Sequence, residues 1–439
     1  MRPTMLRRVA VTLVALARAA PWTPELAHDG TTPWDGPAMI RAELKRSVAA
    51  YAARTTAEEA RKYAASLARH GDQLCVFLGG RLFVSDKFLD QSKHKKHAAY
   101  VLSAHKRVAL PNALYLFEKD STGGDSWPAR TGGDPATPLL VISKKKGYGG
   151  LGVLVPNPFF ENGDVNKWGR AAKALHEAAK ARPWESRRAD VFWRGNVGNH
   201  APNADYDFCD RDSGNYARFE ALSLAVDHPE TFDVKCQKCR PRNATAFPCP
   251  TDAYDATMAA LVGDAAPMRD EAWVDPRDYS AHRAVLNLPG TTAGGYSRNL
   301  NHLWVLKAPV LLWDAPFVEH YYPALRHGDT HLAVDRRDAL SFARSALGDA
   351  REARRLAAGA MAVYETYLCP QCLAAYLRDV YDELRDRFAL GSILDGGDDP
   401  RGFLRFLACA GAPVAFREVV EASDRADGLA TAPVDLDPC

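Results

Sequence analysis

Two strings in the sequence could bind an anion. Phe192-Trp193-Arg194-Gly195-Asn196 ends an apolar run by delivering a guanidinium onto a glycine-containing turn. Arginine meets a phosphate bidentately, and glycine lets backbone approach closely; the competing reading is an ordinary strand end with its arginine in solvent. Pro289-Gly-Thr-Thr-Ala-Gly294-Gly295-Tyr-Ser297-Arg298 is glycine- and hydroxyl-rich and opens into a helix. There Ser297 can cap the helix while Arg298 and the free N–H groups face a diphosphate. The loop is neither a dinucleotide fingerprint nor a Walker loop, so those cofactors are not supported; taken alone it reads first as a plain connection.

Other candidates concern proton transfer, metals and thiols. Asp120 follows the apolar run Ala113–Phe117, and a carboxylate at a strand end can deprotonate a hydroxyl; by itself it is a solvated loop acid. Asp210-Arg-Asp212 has the DxD spacing that chelates Mn²⁺. It lies in the acid-rich loop ADYDFCDRDSG rather than at an apolar strand end, which favours a surface loop, so no metal ligand is assigned and Mn²⁺ is not indicated. Cys369-Pro-Gln-Cys372 has redox spacing. It joins two helical runs instead of following a strand, which favours a structural role.

These positions need a scaffold of strands and helices. Gly79-Gly80 between CVFL and RLFV predicts a two-residue hairpin. Further strands are expected at residues 113–117, 138–143 and 152–156, then a helix over 168–181. Beyond it, ADVFW, AVLNL and PVLLWD alternate with helical runs at 216–226, 298–306 and 339–347. Alternation of that kind predicts βαβ units and a parallel sheet. HLAVD (331–335) reads as polar connection, and residues after 391 as linker, helix and polar tail.

The chain has 439 residues, 47% hydrophobic and 25% charged, which excludes a disordered chain. It also lacks a run of about 18 apolar residues, so no transmembrane span is expected. Residues 1–19 hold Arg2, Arg7, Arg8 and Arg18 around a short apolar run and read as a secretory signal peptide. Without those four arginines the 56 basic residues fall to 52 against 54 acidic, near −2. Bulk charge therefore gives no pull toward nucleic acid, and basic chemistry must be local. Nine cysteines suit an oxidising compartment. Cys236, Cys239 and Cys249 crowd one loop with the sequon at Asn243, read as a disulfide-stapled excursion, with a four-thiolate zinc site as the alternative. The odd count leaves one thiol free, and Cys439 is the easiest candidate.

Together PWESRRADVFWRGN (183–196), YSAHRAVLNLPG (279–290), Arg298 and VEHYYPALRHGDTHLAVD (318–335) resemble the family-90 glycosyltransferases, the capsule-associated and Rumi-like O-glucosyl- and O-xylosyltransferases. The resemblance runs from about Cys75 to Phe388, with GVLVPNPFF and Leu110-Pro-Asn…Asp120 matching the preceding lobe. It implies an α/β, GT-B-like arrangement: two Rossmann-like lobes with a cleft between them, plus N- and C-terminal helices. The expected organisation is signal peptide 1–19, helical segment 20–73, acceptor-side lobe 74–185, and donor lobe 186–390 carrying a cysteine-rich insert at 231–252 that departs from the family, then linker, helix and tail at 391–439. It further implies inverting transfer of a hexose or pentose, glucose or xylose first, from a UDP-sugar to a protein or glycan hydroxyl. The expected setting is the endoplasmic reticulum or Golgi lumen, or secretion. Asp120 maps to the base, and Trp193, Arg194, Gly195, Gly294, Gly295, Ser297 and Arg298 to donor-binding segments; no tightly bound cofactor is implied. Ala308-Pro309 replaces the family's usual Gly-Ser pair, a departure that bears on sugar choice. A catalytically silent sugar-binding module and a thiol oxidoreductase using Cys369 and Cys372 are the competing classes.

Overall fold

The computed structural model describes residues 35–118, 137–145, 152–196, 214–237, 273–290, 298–315, 317–396, 399–410, 415–421, 429–437 and 439. The expected signal peptide, Asp120, Asp210, Asp212, Cys209, Cys239, Cys249, the Asn243 sequon, Gly294, Gly295 and Ser297 lie outside them. The chain is a mixed α/β fold in which one sheet is wholly parallel, compatible with a Rossmann-like scaffold.

Helices α1 (Gly36–Ala49) and α2 (Ala57–Ala68) come first. Thr56 and Glu59 form a capping box that satisfies the first N–H groups of α2. Strands β1 (Leu74–Leu78) and β2 (Arg81–Ser85) pair antiparallel as the glycines predict: Gly79 and Gly80 have φ of 56° and 79°, the left-handed values a tight hairpin needs. Next come α3 (Ser92–His105), β3 (Ala113–Glu118), β4 (Leu139–Val141), β5 (Lys144–Lys145), β6 (Val153–Leu154) and α4 (Val165–Lys180). On α4, Val165, Trp168, Ala172, Leu175 and Ala179 recur at helical spacing and are the buried face.

The second half supplies β7 (Arg188–Gly195), α5 (Gly214–Asp227), β8 (Phe232–Cys236), β9 (His282–Asn287), α6 (Arg298–Leu303), β10 (Val310–Trp313), β11 (Phe317–Val318) and β12 (Leu332–Val334). Helices α7 (Ala339–Gly348), α8 (Ala350–Val363), α9 (Pro370–Arg387) and α10 (Pro400–Ala410) follow, then β13 (Phe416–Glu421) and β14 (Leu429–Pro433). HLAVD thus contains a strand rather than only connection: Leu332 and Val334 are buried against the edge of the sheet.

Five strands form a parallel sheet in the order β12-β10-β9-β7-β8. Along β7, Val191 and Trp193 point into one apolar cluster with α5 and α7, while Phe192 points into another. That other cluster reaches Val285 on β9 and continues through the first sheet, so the two sheets share apolar packing. The seven-stranded sheet, β14-β13-β2-β1-β3-β4-β6, is mixed, with parallel pairing only at β3-β4 and β4-β6. It departs from a plain Rossmann half because its other edge is built by hairpins.

The tail is structured where a polar tail was expected. Strand β13 pairs with β2, and Phe416 and Val419 enter the core, so the last residues extend the first sheet. The Cys409–Cys439 disulfide fastens the chain end to α10, which corrects the assignment of Cys439 as the free thiol. Cys75 is the free cysteine among the described residues, buried on β1 where desolvation pushes its thiol far up. Helix α9 also returns to the first sheet: Tyr381 donates to the Tyr115 hydroxyl at 2.8 Å, and Tyr100 donates to the Leu373 carbonyl at 2.8 Å.

Truncating Phe416 to Ala removes a core ring that ties β13 to the first sheet. The expected cost is roughly 3–5 kcal/mol, read by chemical unfolding; an unchanged midpoint and slope would show that the terminal strands do not hold this sheet together.

Candidate functional site

Strand order fixes where a ligand can sit on the parallel sheet. From β7 the chain goes to β8 on one side, then crosses to β9 on the other side of β7. The loops leaving β7 and β9 therefore diverge, and a crevice opens at their carboxyl ends, the usual ligand position in open α/β sheets. Gly195-Asn196 and Leu288-Pro289-Gly290 border this switch point.

Arg218, on the second turn of α5, ties the two loops together. Its Nε donates to the Pro289 carbonyl at 2.7 Å, and its Nη1 to the Asn196 carbonyl at 2.6 Å. Its guanidinium lies 5.4 Å from the Trp193 ring centroid. Burial pulls its pKa down to about 9, and no carboxylate among the described residues offsets that pull. A buried cation without an ionic partner supplies positive potential to the crevice. Gly195 also acquires a specific reason: a Cβ there would collide with the Trp193 ring, so the glycine makes room for tryptophan.

Arg194 has a different role from an open phosphate ligand. It is 5% exposed, lies over the Phe192 ring at 4.3 Å, and donates to Asp233 Oδ1 at 2.7 Å and to the Asp233 carbonyl at 2.7 Å. Arg188 bonds the other Asp233 oxygen at 2.6 Å and reaches Asp190 at 3.2 Å. His282 Nδ1 lies 2.6 Å from Asp190 Oδ1 and stacks on Phe192 at 3.9 Å. Burial alone would raise the Asp233 pKa; Arg194, then Arg188 and His282, outweigh it and hold the carboxylate below its ordinary range. Ligand atoms of Asp190, Asp233 and His282 fall within 4.8 Å of one another, a spacing that can hold a cation. Both carboxylates are already engaged by arginines, so the arrangement fits a buried ionic network better than a metal centre.

The second strand-end arginine behaves differently. Arg298, the first residue of α6, is exposed, and its guanidinium lies 4.1 Å from the Phe159 ring centroid. Neighbouring Asn299 donates to the Arg194 carbonyl at 3.1 Å, which fixes the start of α6 beside the end of β7. Deeper in α6, Asn301 and Asn157 exchange bonds at 3.3 Å, and Asn157 donates to Glu319 Oε2 at 2.6 Å. These three residues knit the loop after β6 to α6 and to the segment after β11. Glu319 is fully buried with Oε1 lacking a hydrogen-bond partner among the described residues, and desolvation, against the Asn157 bond, pushes its pKa up to about 7.

Arg218, Asn157, Asn301 and Glu319 were not singled out from sequence. A buried arginine in a helix carries no motif, and Glu319 stood only inside the string VEHYYP. Cys369 and Cys372 are disulfide-bonded at the start of α9, at a helix junction as expected, and with that bond formed the pair does not offer thiolates to zinc. Cys236 is disulfide-bonded as well.

Glu319 sets a pH dependence. Its pKa is raised in the folded chain, so between about pH 4.5 and pH 7 the native state binds more protons than the unfolded one. Stability then falls as pH rises through that window, by up to about 3 kcal/mol at 1.4 kcal/mol per pH unit of displacement, and levels off above it. Buried His97, His320 and His331, pulled down to about 3, act in the opposite sense, so the contribution of Glu319 is read as the difference between parent and Glu319→Gln in chemical unfolding from pH 5 to 8; identical slopes in both proteins would refute the assignment. No protein-family model matches the chain, and no curated protein matches it significantly.

Proposed function

We propose that the protein is an inverting UDP-sugar-dependent glycosyltransferase of GT-B-like design, its donor seated at the carboxyl ends of β7 and β9. The observation that carries this reading is the switch point itself. A parallel sheet opens there between two loops joined by the buried Arg218, which has no ionic partner among the described residues, with Arg298 starting the adjacent helix. Such a place suits a diphosphate. The UDP-sugar specificity and the choice of transfer over mere binding come from the resemblance of the WRG, Ser-Arg and VEHYYP strings.

In this mechanism Asp120, two residues beyond the end of β3, accepts the proton of the acceptor hydroxyl. The acceptor oxygen attacks the anomeric carbon from the face opposite the diphosphate, and the carbon–oxygen bond to UDP breaks as the new bond forms. UDP departs as an anion, and positive charge held in place before the reaction stabilises it most where its charge develops. Arg298 supplies that charge directly, while Arg218 supplies potential and ties the two loops together. Arg194, occupied by Asp233, positions the end of β7. Trp193 and Gly195 shape the end of β7, and Gly294, Gly295 and Ser297 are assigned to donor binding by the resemblance. The acceptor is a protein or glycan hydroxyl. The disulfides accord with an endoplasmic reticulum or Golgi lumen or a secreted setting, and no described helix is long and apolar enough to cross a membrane.

Purified full-length protein is expected to release UDP from UDP-glucose or UDP-xylose. Asp120→Asn should lower turnover by roughly 10²–10⁴-fold while UDP binding stays near the parent value. Parent-level turnover by the variant would remove Asp120 as the base, and UDP-sugar binding with no hydrolysis or transfer would point to a silent sugar-binding module.

A further inference from the structure

Phe159 carries a second cation besides Arg298. Lys96, on α3 of the first sheet's side, places its Nζ 4.4 Å from the same ring centroid, while Arg298 reaches it at 4.1 Å from the side of the parallel sheet. Like charges brought to one aromatic ring repel, and nothing among the described residues neutralises them: no carboxylate pairs with either side chain. Burial first, then Arg298 and Lys93, pull the Lys96 pKa below the lysine range. The juxtaposition is built, not incidental to loose side chains. Helix α3 is fixed by Ser103, which donates to the Gly163 carbonyl at 3.2 Å, and by His97, 3.1 Å from the Tyr115 hydroxyl. The Phe159 N–H donates to Asn157 at 3.1 Å, and Asn157 belongs to the group that anchors α6. Both backbones that bear the cations are therefore held, and their repulsion persists until an anion relieves it.

We infer that Lys96 and Arg298 together bind the diphosphate of the ligand, with Lys96 as an anion ligand contributed from the opposite side of the switch point. The diphosphate identity rests on the nucleotide-sugar reading; the existence of a two-cation anion site does not. Phe159 offers its ring to both cations, which favours their juxtaposition at one place. A ligand that touches both would also link α3 to α6 across the two sheets.

Calorimetric titration of the full chain with inorganic pyrophosphate and with UDP tests this. Lys96→Met is expected to weaken both by at least about ten-fold, the effect of losing one charge-assisted contact, with Lys96→Arg recovering most of the affinity. Should Lys96→Met misfold, pyrophosphate on the parent protein should slow acylation of Lys96 by acetic anhydride, read by mass spectrometry. Unchanged affinity in a folded Lys96→Met, no pyrophosphate binding by the parent, or no protection of Lys96 overturns the inference. UDP bound equally by parent and Lys96→Met would leave the donor reading standing without Lys96. Lys96-dependent pyrophosphate binding with no affinity for UDP or UDP-sugars would keep the anion site and end the donor reading.

Discussion

Removing a guanidinium from water costs several kcal/mol unless its donors are met and its charge is answered. Arg218 directs two of its five donors to loop carbonyls, and no carboxylate among the described residues answers its charge. The geometry of the switch point follows from that side chain. It joins the loops at the ends of β7 and β9 and lies against the Trp193 ring, whose own position requires glycine at residue 195. A neutral side chain in its place would free both loops and leave their carbonyls unpaired. The positive potential of the crevice is thus inseparable from the bonds that shape it.

The remaining charge is divided by function. On the Phe192 face of the sheet, Arg188, Asp190, Arg194, Asp233 and His282 satisfy one another and lock β7 to its neighbours. At the junction of the two sheets no carboxylate among the described residues pairs with the cations, and the polar groups beneath them are costly ones: Glu319 and Asn157 are buried together with Asn301. Buried polar groups of this kind specify one arrangement, because any shift breaks bonds that water cannot replace. The rigid support lies under α6 and the loop after β6, and the unneutralised charge lies above it.

Sequence patterns carried the scaffold of the second half well. ADVFW, AVLNL and PVLLWD are short apolar runs ended by polar or glycine-containing loops, and each is a strand of the parallel sheet because burial on both faces demands such runs. The Gly79-Gly80 hairpin was legible for the same local reason. Long-range pairing was not. Nothing local says that FREVVE must join β2 more than 300 residues earlier, or that Cys439 finds Cys409. At the site, Arg194 and Arg298 were found by position at strand ends, yet only their surroundings separate them: Asp233 claims one, and an aromatic ring with a second cation faces the other. Arg218 was invisible because burial, not motif, gives it meaning.

Hydrogen–deuterium exchange of the full-length protein with and without UDP tests the donor position most directly. A nucleotide at the switch point should protect amides at the end of β7, at residues 288–290 and across α6, with little change in the β13–β14 hairpin. UDP binding that leaves those amides unchanged, or protects only segments elsewhere, would contradict a donor site at the carboxyl ends of β7 and β9.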